Sequence, residues 1–370
     1  MTSLMFIVPV LCWVAFTMFV LKWSISLTEA LIQAGVTIGV VLLIFSLGSY
    51  STTYDTMLVN GKVTELRPVK RDCPNGWVLS TDSFCTNYDT REVRDYPDAC
   101  STDSKGKKTC TPRYHTEYRY DYDWERRYWI LTSLGSHEIP RVDYQGVNYP
   151  PRFTAARVGD PATASVSYTN YIKGASDTLF SEGEPEDTIP LAYPSVRDYY
   201  VANRFLVEGL SFPNAEWQAW NAELSALNAE LQDRNVIIVV TNSKPDFATM
   251  LARSWDSHNI NDIVVVIGSP DGKAIDWVDV RSWSASELVN IEIRDVLKSA
   301  GAVDGLTKRD AVLGAIKSSI DANFKMQPME NFEYLADDIP APTWAMVLAF
   351  IFLLIVTPAL SYFFHHNDRF

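Results

Sequence analysis

Four cysteines in one polar stretch of the chain carry the clearest chemistry. Cys73, Cys85, Cys100 and Cys110 form an even set that lacks the Cys-x-x-Cys spacing of a zinc ribbon. We therefore expect two disulfides, formed in an oxidising compartment. The spacing does not determine which cysteines pair, and Cys73–Cys85 with Cys100–Cys110 is the pairing between neighbours in sequence. His115 keeps zinc as the alternative, because four thiolates, or three thiolates and an imidazole, also satisfy that metal.

Carboxylates near turns and strand ends in the second half supply another kind of chemistry. Asp256, Asp262 and Asp271 are hard oxygen ligands and form a candidate Ca2+ site, with solvated surface carboxylates as the alternative. His258 beside Asp256 is a candidate general acid, or an ordinary surface histidine. The sequence contains no Gly-x-Ser-x-Gly, phosphate-cradling glycine loop or His-Glu-x-x-His motif, so it predicts no catalytic residue.

The charge balance argues against a nucleic-acid surface. The 370 residues include 32 Lys and Arg against 45 Asp and Glu, for a net charge of -13. Binding to phosphates requires clustered basic residues. The short cluster Lys105, Lys107 and Lys108 lies in a Ser/Gly segment and is expected to be a solvated turn.

Three apolar runs are long enough to cross a bilayer, and we expect transmembrane helices at residues 4–23, 30–50 and 342–364. A cleaved signal peptide is the alternative for the first run. Gly35 and Gly39 have the spacing that lets two membrane helices approach closely, which predicts a helical hairpin of the first two spans.

Three spans place the amino terminus and the large middle region on one side of the membrane. Lys22 and Arg369 fall on the other side, and basic residues favour the cytoplasm. The large middle region is therefore expected outside the cytoplasm, with a cytoplasmic carboxyl terminus.

The middle region begins with a β-rich part, residues 51–185. Asn60-Gly61 between two strand-like runs predicts a hairpin turn. From Tyr114 to Trp129 the aromatic residues recur at every second position, which predicts a strand with its rings on one face. Those rings are either a core face or a surface that binds glycan or peptide.

Residues 200–325 show the pattern of an α/β domain. The predicted order is helix, strand, helix, two strands and two helices, with Asp271-Gly272 as the turn between the paired strands. Ser284 with Glu287 and Thr307 with Asp310 predict capping boxes for the last two helices. Residues 326–341 form an acidic linker to the final span. The fold class is thus a multi-span helical anchor carrying an α+β ectodomain.

Two resemblances add expectations. Asn60-Gly61-Lys62-Val63-Thr64, Arg141-Val142-Asp143-Tyr144-Gln145-Gly146 and Tyr168-Thr169-Asn170-Tyr171 resemble a group of tailed-bacteriophage membrane proteins for which no activity is established. Residues 200–325 resemble the TPM domain, an extracytoplasmic α/β module, through Phe247-Ala248, Trp255 and Asp262-Ile263-Val264-Val265-Val266.

The TPM resemblance implies a role in assisting membrane complexes, and for some members phosphatase activity or calcium binding. One departure affects the site, since the family's glycine-rich turn after the tryptophan is replaced by Asp256-Ser257-His258-Asn259-Ile260. The resemblance therefore does not extend to a ligand site on that turn.

The sequence favours a non-enzymatic membrane-anchored accessory protein that acts on an envelope protein complex. Its expected partners are the lipid bilayer, another membrane or envelope protein, and a second copy of the chain. The alternatives are a metal-dependent phosphatase-like hydrolase and a structural membrane scaffold.

A thiol reagent that cannot cross membranes tests the expected compartment. In whole cells with a permeable outer layer, we expect the cysteines of the middle region to be labelled only after reduction, because disulfides do not react. Labelling without reduction, and only from the cytoplasmic side, would contradict the predicted orientation.

Overall fold

A computed structural model describes residues 26–70, 78–79, 84–124, 126–142, 151–175, 191–255, 258–300 and 305–367, with four residues between 13 and 19. The predicted first span, residues 4–23, lies almost wholly outside this description. The chain divides into two compact units. The β-rich unit contains Gly61–Ala162 and Arg197–Tyr200, and the helical unit contains Met1–Asn60, Thr163–Val196 and Val201–Phe370.

Two long apolar helices mark the two ends of the described chain. They are α1 (Leu27–Thr53) and α7 (Thr343–Asn367), and both are long and apolar enough to cross a membrane. Several leucines and isoleucines along both helices are exposed, as are Phe350 and Phe363 of α7, whereas a core helix of a soluble protein would bury them. The helices therefore fit the predicted spans 30–50 and 342–364.

The two long helices pack against each other. Gln33 donates hydrogen bonds of 2.8 Å from Nε2 to the Thr357 carbonyl oxygen and to Ser361 Oγ. Near the other end of α1, a Cβ on Gly48 would lie 3.0 Å from Ala345 Cβ. A glycine thus permits the close approach, as is common between membrane helices.

Gly35 and Gly39 do not take part in this contact. No atom of the described chain lies within 4 Å of where a Cβ would stand on either residue. Their predicted partner, the segment 4–23, is outside the description, so that helical hairpin stays a prediction.

The first β-strands of the chain begin directly at the end of α1. Its strands are β1 (Tyr54–Lys70), β2 (Val78–Leu79), β3 (Phe84–Thr102), β4 (Lys108–Trp124), β5 (Arg126–Thr132), β6 (Gly135–Glu138) and β7 (Pro161–Thr169). One sheet has the order β6-β5-β1-β7, and another has the order β2-β3-β4. The strand predicted from Tyr114 to Trp129 is thus divided between β4 and β5.

Asn60 and Gly61 do not form the predicted hairpin turn, because β1 runs straight through them. Neither residue has a positive φ, which such a turn requires. Asn60 is buried and uses its side chain to bond the Arg234 carbonyl oxygen. Gly61 is needed for another reason, since a Cβ there would collide with Ser133. The Asn-Gly signal reflected packing rather than a turn.

Strands β3 and β4 form a long antiparallel hairpin, here called the arm and defined as residues 91–117. Its turn is closed by Asp103, whose carboxylate accepts the backbone N–H groups of Lys105 and Lys107. Lys105, Lys107 and Lys108 are exposed, as predicted for a solvated turn.

The α/β part is built on a four-stranded sheet. After the short helix α2 (Tyr171–Gly174) and the short strands β8 (Val196–Arg197) and β9 (Tyr200–Val201), its elements are β10 (Phe205–Glu208), α3 (Asn214–Leu231), β11 (Asn235–Thr241), α4 (Asp246–Ser254), β12 (Asp262–Gly268), β13 (Trp277–Ser282), α5 (Leu288–Ala300) and α6 (Arg309–Asn323). Strands β10, β11 and β12 are parallel, and β13 is antiparallel to β12. From α3 onward the predicted order of elements is confirmed, and Gly272 has the positive φ of the predicted turn.

Both faces of this sheet are covered, which explains the unbroken apolar runs of β11 and β12. One face packs under α3, α5 and α6, and the other under α4. Trp220 of α3 stacks on Phe205 with ring centroids 4.7 Å apart. The result is a three-layer α/β core.

Helices α5 and α6 begin at Leu288 and Arg309, later than the predicted N-caps Ser284 and Thr307 require. The Ser284 hydroxyl accepts N–H groups from Ser286 and from Lys325, so it joins the start of α5 to the chain after α6. Helix α6 begins at Arg309 with Lys308 as its N-cap and has no side-chain cap bond. A tertiary contact replaced the local bond at Ser284.

The predicted acidic linker contains a 3-10 helix, Met329–Asp338, that packs onto the helical unit. Phe332 and Leu335 are buried beside Ile172 and Ile260. Gly174 of α2 lies against Thr53 and Ile339, where a Cβ would come within 2.9 Å of Thr53 Cγ2. The segments on either side of the α/β part, α2 and the 3-10 helix, therefore pack close to the end of α1.

Gly48→Leu tests the contact between α1 and α7. We expect a loss of about 1–3 kcal/mol in the free energy of unfolding, because the added side chain meets Ala345 and Pro342. Thermal unfolding of the detergent-solubilised protein measures it. Gly314→Leu is the control, since Gly314 is exposed on α6 with no atom of the described chain within 4 Å of a Cβ there. Equal losses in the two variants would contradict the contact.

Candidate functional site

Polar side chains occupy the amino ends of the three parallel strands. Asn235 and Asp262 are the first residues of β11 and β12 and face each other in the register, and Arg204 directly precedes β10. All three are fully buried. Asn235 Nδ2 donates to Asp262 Oδ1 at 2.8 Å, and Arg204 Nε donates to Asn235 Oδ1 at 3.2 Å. We call this row the polar ladder.

Asp262 is held by three further hydrogen bonds. The Tyr193 hydroxyl lies 3.0 Å from Oδ1 and 2.9 Å from Oδ2, and the backbone N–H of Asn259 donates to Oδ2 at 2.8 Å. Burial nevertheless raises the pKa of Asp262 to about 6, since desolvation outweighs the hydrogen bonds that favour the carboxylate. The same burial raises the pKa of Tyr193 and keeps its hydroxyl protonated as a donor.

The cationic end of the ladder is equally well satisfied. Arg204 donates from its terminal guanidinium nitrogen to Asn60 Oδ1 and, at 2.8 Å, to Thr163 Oγ1. Asn221 Oδ1 accepts the Arg204 backbone N–H at 2.8 Å. A buried arginine is tolerated only with such partners. The ladder thus ties β1 and β7 to the α/β sheet.

A cleft of about 730 Å³ opens beside the carboxylate end of the ladder. Tyr193 and Asn259 form part of its wall, together with Trp255, Asp55 and Lys173; the other lining residues are Thr56, Leu58, Ser165, Leu191, Ala192, Pro194, Ser195, Val196 and Ser254. Asp262 is not a lining residue. The tyrosine hydroxyl and the asparagine separate the buried carboxylate from the cleft.

A chain of hydrogen bonds links the ladder to the charged residues of the cleft. Tyr168 donates its hydroxyl to Asn259 Oδ1 at 3.2 Å, and Asn170 Nδ2 donates to Tyr168 at 3.0 Å and to Asp55 Oδ2 at 2.9 Å. Lys173 Nζ lies 3.5 Å from Asp55 Oδ1. The cleft therefore presents one carboxylate and one ammonium on a wall that the fold holds in place.

The three predicted metal ligands are not brought together. Asp262 begins β12 and Asp271 follows its end, which separates them by about 20 Å at the usual rise of a strand. Asp271 is exposed and accepts backbone N–H groups from Lys273 and Ala274. Asp256 lies outside the described residues, and those residues contain no group of three metal ligands.

His258 is buried rather than exposed at the surface. It has a φ of 54°, and its Nδ1 lies 3.2 Å from the Asn259 carbonyl oxygen. Burial lowers the pKa of His258 to about 4, so the ring is neutral at physiological pH. Its ring centroid lies 5.9 Å from that of Trp283, and His258 is not among the lining residues of the cleft. These features suit a packing role better than proton transfer.

The cysteine chemistry is found in the arm. Cys100 and Cys110 face each other in the β3–β4 register and form a disulfide. Cys73 lies outside the described residues, so the Cys73–Cys85 pair stays a prediction. His115 is exposed, and its Nδ1 lies 2.6 Å from the Asp95 carboxylate, which raises the pKa of the imidazole through that hydrogen bond.

The arm is a second candidate site because, among the strands that the structure describes, β3 and β4 pair mainly with each other. Within the described strands, β4 is an edge strand, and β2 pairs only with Thr86 and Cys85 of β3. Tyr96 and Tyr114 are 79% and 57% exposed. The rings of the predicted aromatic ladder, Tyr118 to Trp124, belong to side chains outside the described part of the structure.

The residues of the cleft and ladder are mostly ones that sequence patterns did not indicate. A weak signal existed, because a polar residue stands just before or at the start of each buried strand, as in Arg204-Phe205, Asn235-Val236 and Asp262-Ile263. Asp55 and Lys173 gave no signal, since they are distant in sequence and meet only through the packing of α2 on α1.

Asp262→Asn tests the buried carboxylate through pH. Because the folded pKa is raised, the folded chain binds this proton more tightly, and the free energy of unfolding falls by about 3 kcal/mol as pH rises from about 4 to about 6. In the Asp262→Asn variant we expect this pH-dependent decrease in the free energy of unfolding to disappear. Urea unfolding at each pH measures it. The Asp271→Asn variant should show the same decrease as the unmodified chain, because the pKa of that exposed carboxyl is lowered by backbone N–H groups. If the free energy of unfolding falls as much in Asp262→Asn as in the unmodified chain, Asp262 is not the group that causes the decrease.

Comparison of the chain with protein-family models, curated proteins and solved structures gives no match. The function is therefore inferred from the cleft, the arm and the long helices themselves.

Proposed function

We propose that the chain is a membrane-anchored extracytoplasmic accessory protein that binds another protein of the envelope. The observation that carries this proposal is the arm, a long two-stranded hairpin whose residues from 108 to 117 are all exposed. An isolated hairpin of two strands is marginally stable in water, so a covalent crosslink near its tip maintains a shape that its own packing does not.

The exposed edge of β4 suits protein recognition. Unpaired N–H and C=O groups along an edge can add a strand from a partner, and exposed tyrosines supply contact area at low entropic cost. Tyr96 and Tyr114 provide such rings. Charged residues of both signs also occur along the arm, which protects the edge from unspecific pairing.

The long helices support a role at a membrane. α1 passes into β1 without a linker, and the segment before α7 is packed by Phe332 and Leu335. A body held at both ends stays near the bilayer, and this raises its effective concentration toward membrane partners. The bacterial inner membrane, a periplasmic body and a bacteriophage origin belong to this proposal, as does the TPM-like identity of residues 200–325.

The hydrolase alternative receives less support from the geometry. A catalytic carboxylate must reach its substrate, whereas Asp262 is fully buried behind Tyr193 and Asn259. Asp271 lies at the far end of β12, on an exposed turn. A purely structural scaffold would not need an exposed and crosslinked arm.

Photocrosslinking in native membranes tests the proposal. A photoreactive residue at Tyr96 or Tyr114 should crosslink to one distinct envelope protein, identified by mass spectrometry, because these positions are the most exposed rings of the arm. The control is Ser318 on α6, which is exposed outside the arm. The same crosslinks from all three positions, or none from the arm, would argue for a scaffold instead.

A Cys100→Ser, Cys110→Ser double variant separates recognition from anchoring. Removing a crosslink that spans 10 residues should cost the hairpin about 3 kcal/mol. We expect crosslinks from Tyr96 to fall severalfold, while carbonate extraction still leaves the chain in the membrane fraction. An undiminished yield would show that the disulfide does not shape the binding surface.

A further inference from the structure

The cleft lies where α1 leaves its apolar stretch. α1 has 27 residues and is about 40 Å long, whereas a bilayer's hydrocarbon core is about 30 Å thick. Tyr50 and Tyr54 at its end and Trp344 at the start of α7 are exposed, as aromatic residues at a membrane interface are. Asp55, the first residue of the cleft, stands two positions after the end of the helix at Thr53. The cleft is thus expected at the level of the lipid headgroups.

The charged wall of the cleft has the form of a receptor for a zwitterion. Asp55 and Lys173 are 3.5 Å apart, and their side chains are 17% and 32% exposed. Asn170 fixes both, because its Nδ2 bonds the Asp55 carboxylate and its Oδ1 accepts the Lys173 backbone N–H. A ligand with a cation and an anion can pair with both side chains at once.

Lysine is a common partner of phosphate, and a primary ammonium can donate hydrogen bonds to a carboxylate, whereas a trimethylammonium cannot. Hydroxyl groups of Thr56, Ser165, Ser195 and Ser254 line the rest of the cleft and can complete the bonding of phosphate oxygens. These features match an ethanolamine phosphate group and discriminate against choline.

We infer that the cleft binds the phosphoethanolamine headgroup of a phospholipid, with Asp55 receiving the ammonium and Lys173 the phosphate. The headgroup binds from the bilayer in which α1 and α7 are embedded. The inference rests on the membrane placement proposed above and is independent of the protein partner proposed for the arm. It gives the body a specific lipid contact in addition to its helices.

Lipid titration of the full chain in detergent micelles tests this inference. The probes are short-chain phosphatidylethanolamine, short-chain phosphatidylcholine and free phosphoethanolamine, and the readout is the fluorescence of tryptophans, of which Trp255 lines the cleft. We expect the ethanolamine lipid to bind about tenfold more tightly than the choline lipid, because one charge-assisted hydrogen bond distinguishes them.

Two variants test which side chain binds the ammonium of the headgroup and which binds its phosphate. Asp55→Asn should abolish the preference for the ethanolamine lipid over the choline lipid. Lys173→Gln should lower the affinity for both lipids about tenfold, because both lipids carry the phosphate. Asp321→Asn and Lys317→Gln are matched controls, since these residues form an exposed pair at 2.7 Å on α6, away from the cleft. The controls should bind like the unmodified chain.

Ser195→Trp provides a second measurement should Asp55→Asn fail to fold. Ser195 is an exposed lining residue of the cleft, so the larger side chain obstructs the cleft and should weaken binding without removing the charged pair. Three results would overturn the inference: no preference for ethanolamine, unchanged binding in the cleft variants, or free phosphoethanolamine binding as tightly as the lipid. The arm crosslinks remain a separate readout, so failure here does not decide the protein partner.

Discussion

The polar ladder is the interaction on which the rest of the helical unit depends. It places a guanidinium and a carboxylate in a fully buried layer and joins them through one amide, Asn235. Removing one partner from such a set leaves a buried group unsatisfied, which costs more than the bond itself contributes. Within the helical unit, the ladder therefore specifies how Asn60 and Thr163 meet the three parallel strands.

That constraint also explains where the cleft lies. Ligands of parallel α/β sheets usually bind outside the carboxyl ends of the strands. Here the cleft lies beside the amino ends, next to Asp262, because additional chain from β1, β7 and residues 191–196 forms a wall there. At the carboxyl ends, Glu208 bonds Thr241 and Ser243, and the Trp277 indole lies against Gly268. Those ends are closed by the protein's own side chains.

The two candidate sites suit different tasks. The cleft is part of a connected hydrogen-bond network that ends at Asp55, and such networks hold polar groups in one arrangement. In the part of the arm that the structure describes, the two strands are joined by their ladder of backbone bonds, by one disulfide and by the ion pair of His115 with Asp95. The fixed network of the cleft suits a small headgroup, and the extended surface of the arm suits a protein.

Periodicity in the sequence determined the elements whose environment is simple. Apolar runs predicted α1 and α7, and β-branched runs predicted β11 and β12, since each signal is local. The even number of cysteines in one polar stretch predicted disulfides, but their spacing did not determine which cysteines pair. Tertiary structure decided the rest. Asn60 resembled a turn residue until Arg204 and Arg234 supplied its partners, Ser284 resembled a cap until Lys325 bonded it, and Asp262 resembled a surface ligand until folding removed it from water. The cleft pair of Asp55 and Lys173 was beyond prediction for the same physical reason: polar side chains take their roles from neighbours that are distant in sequence.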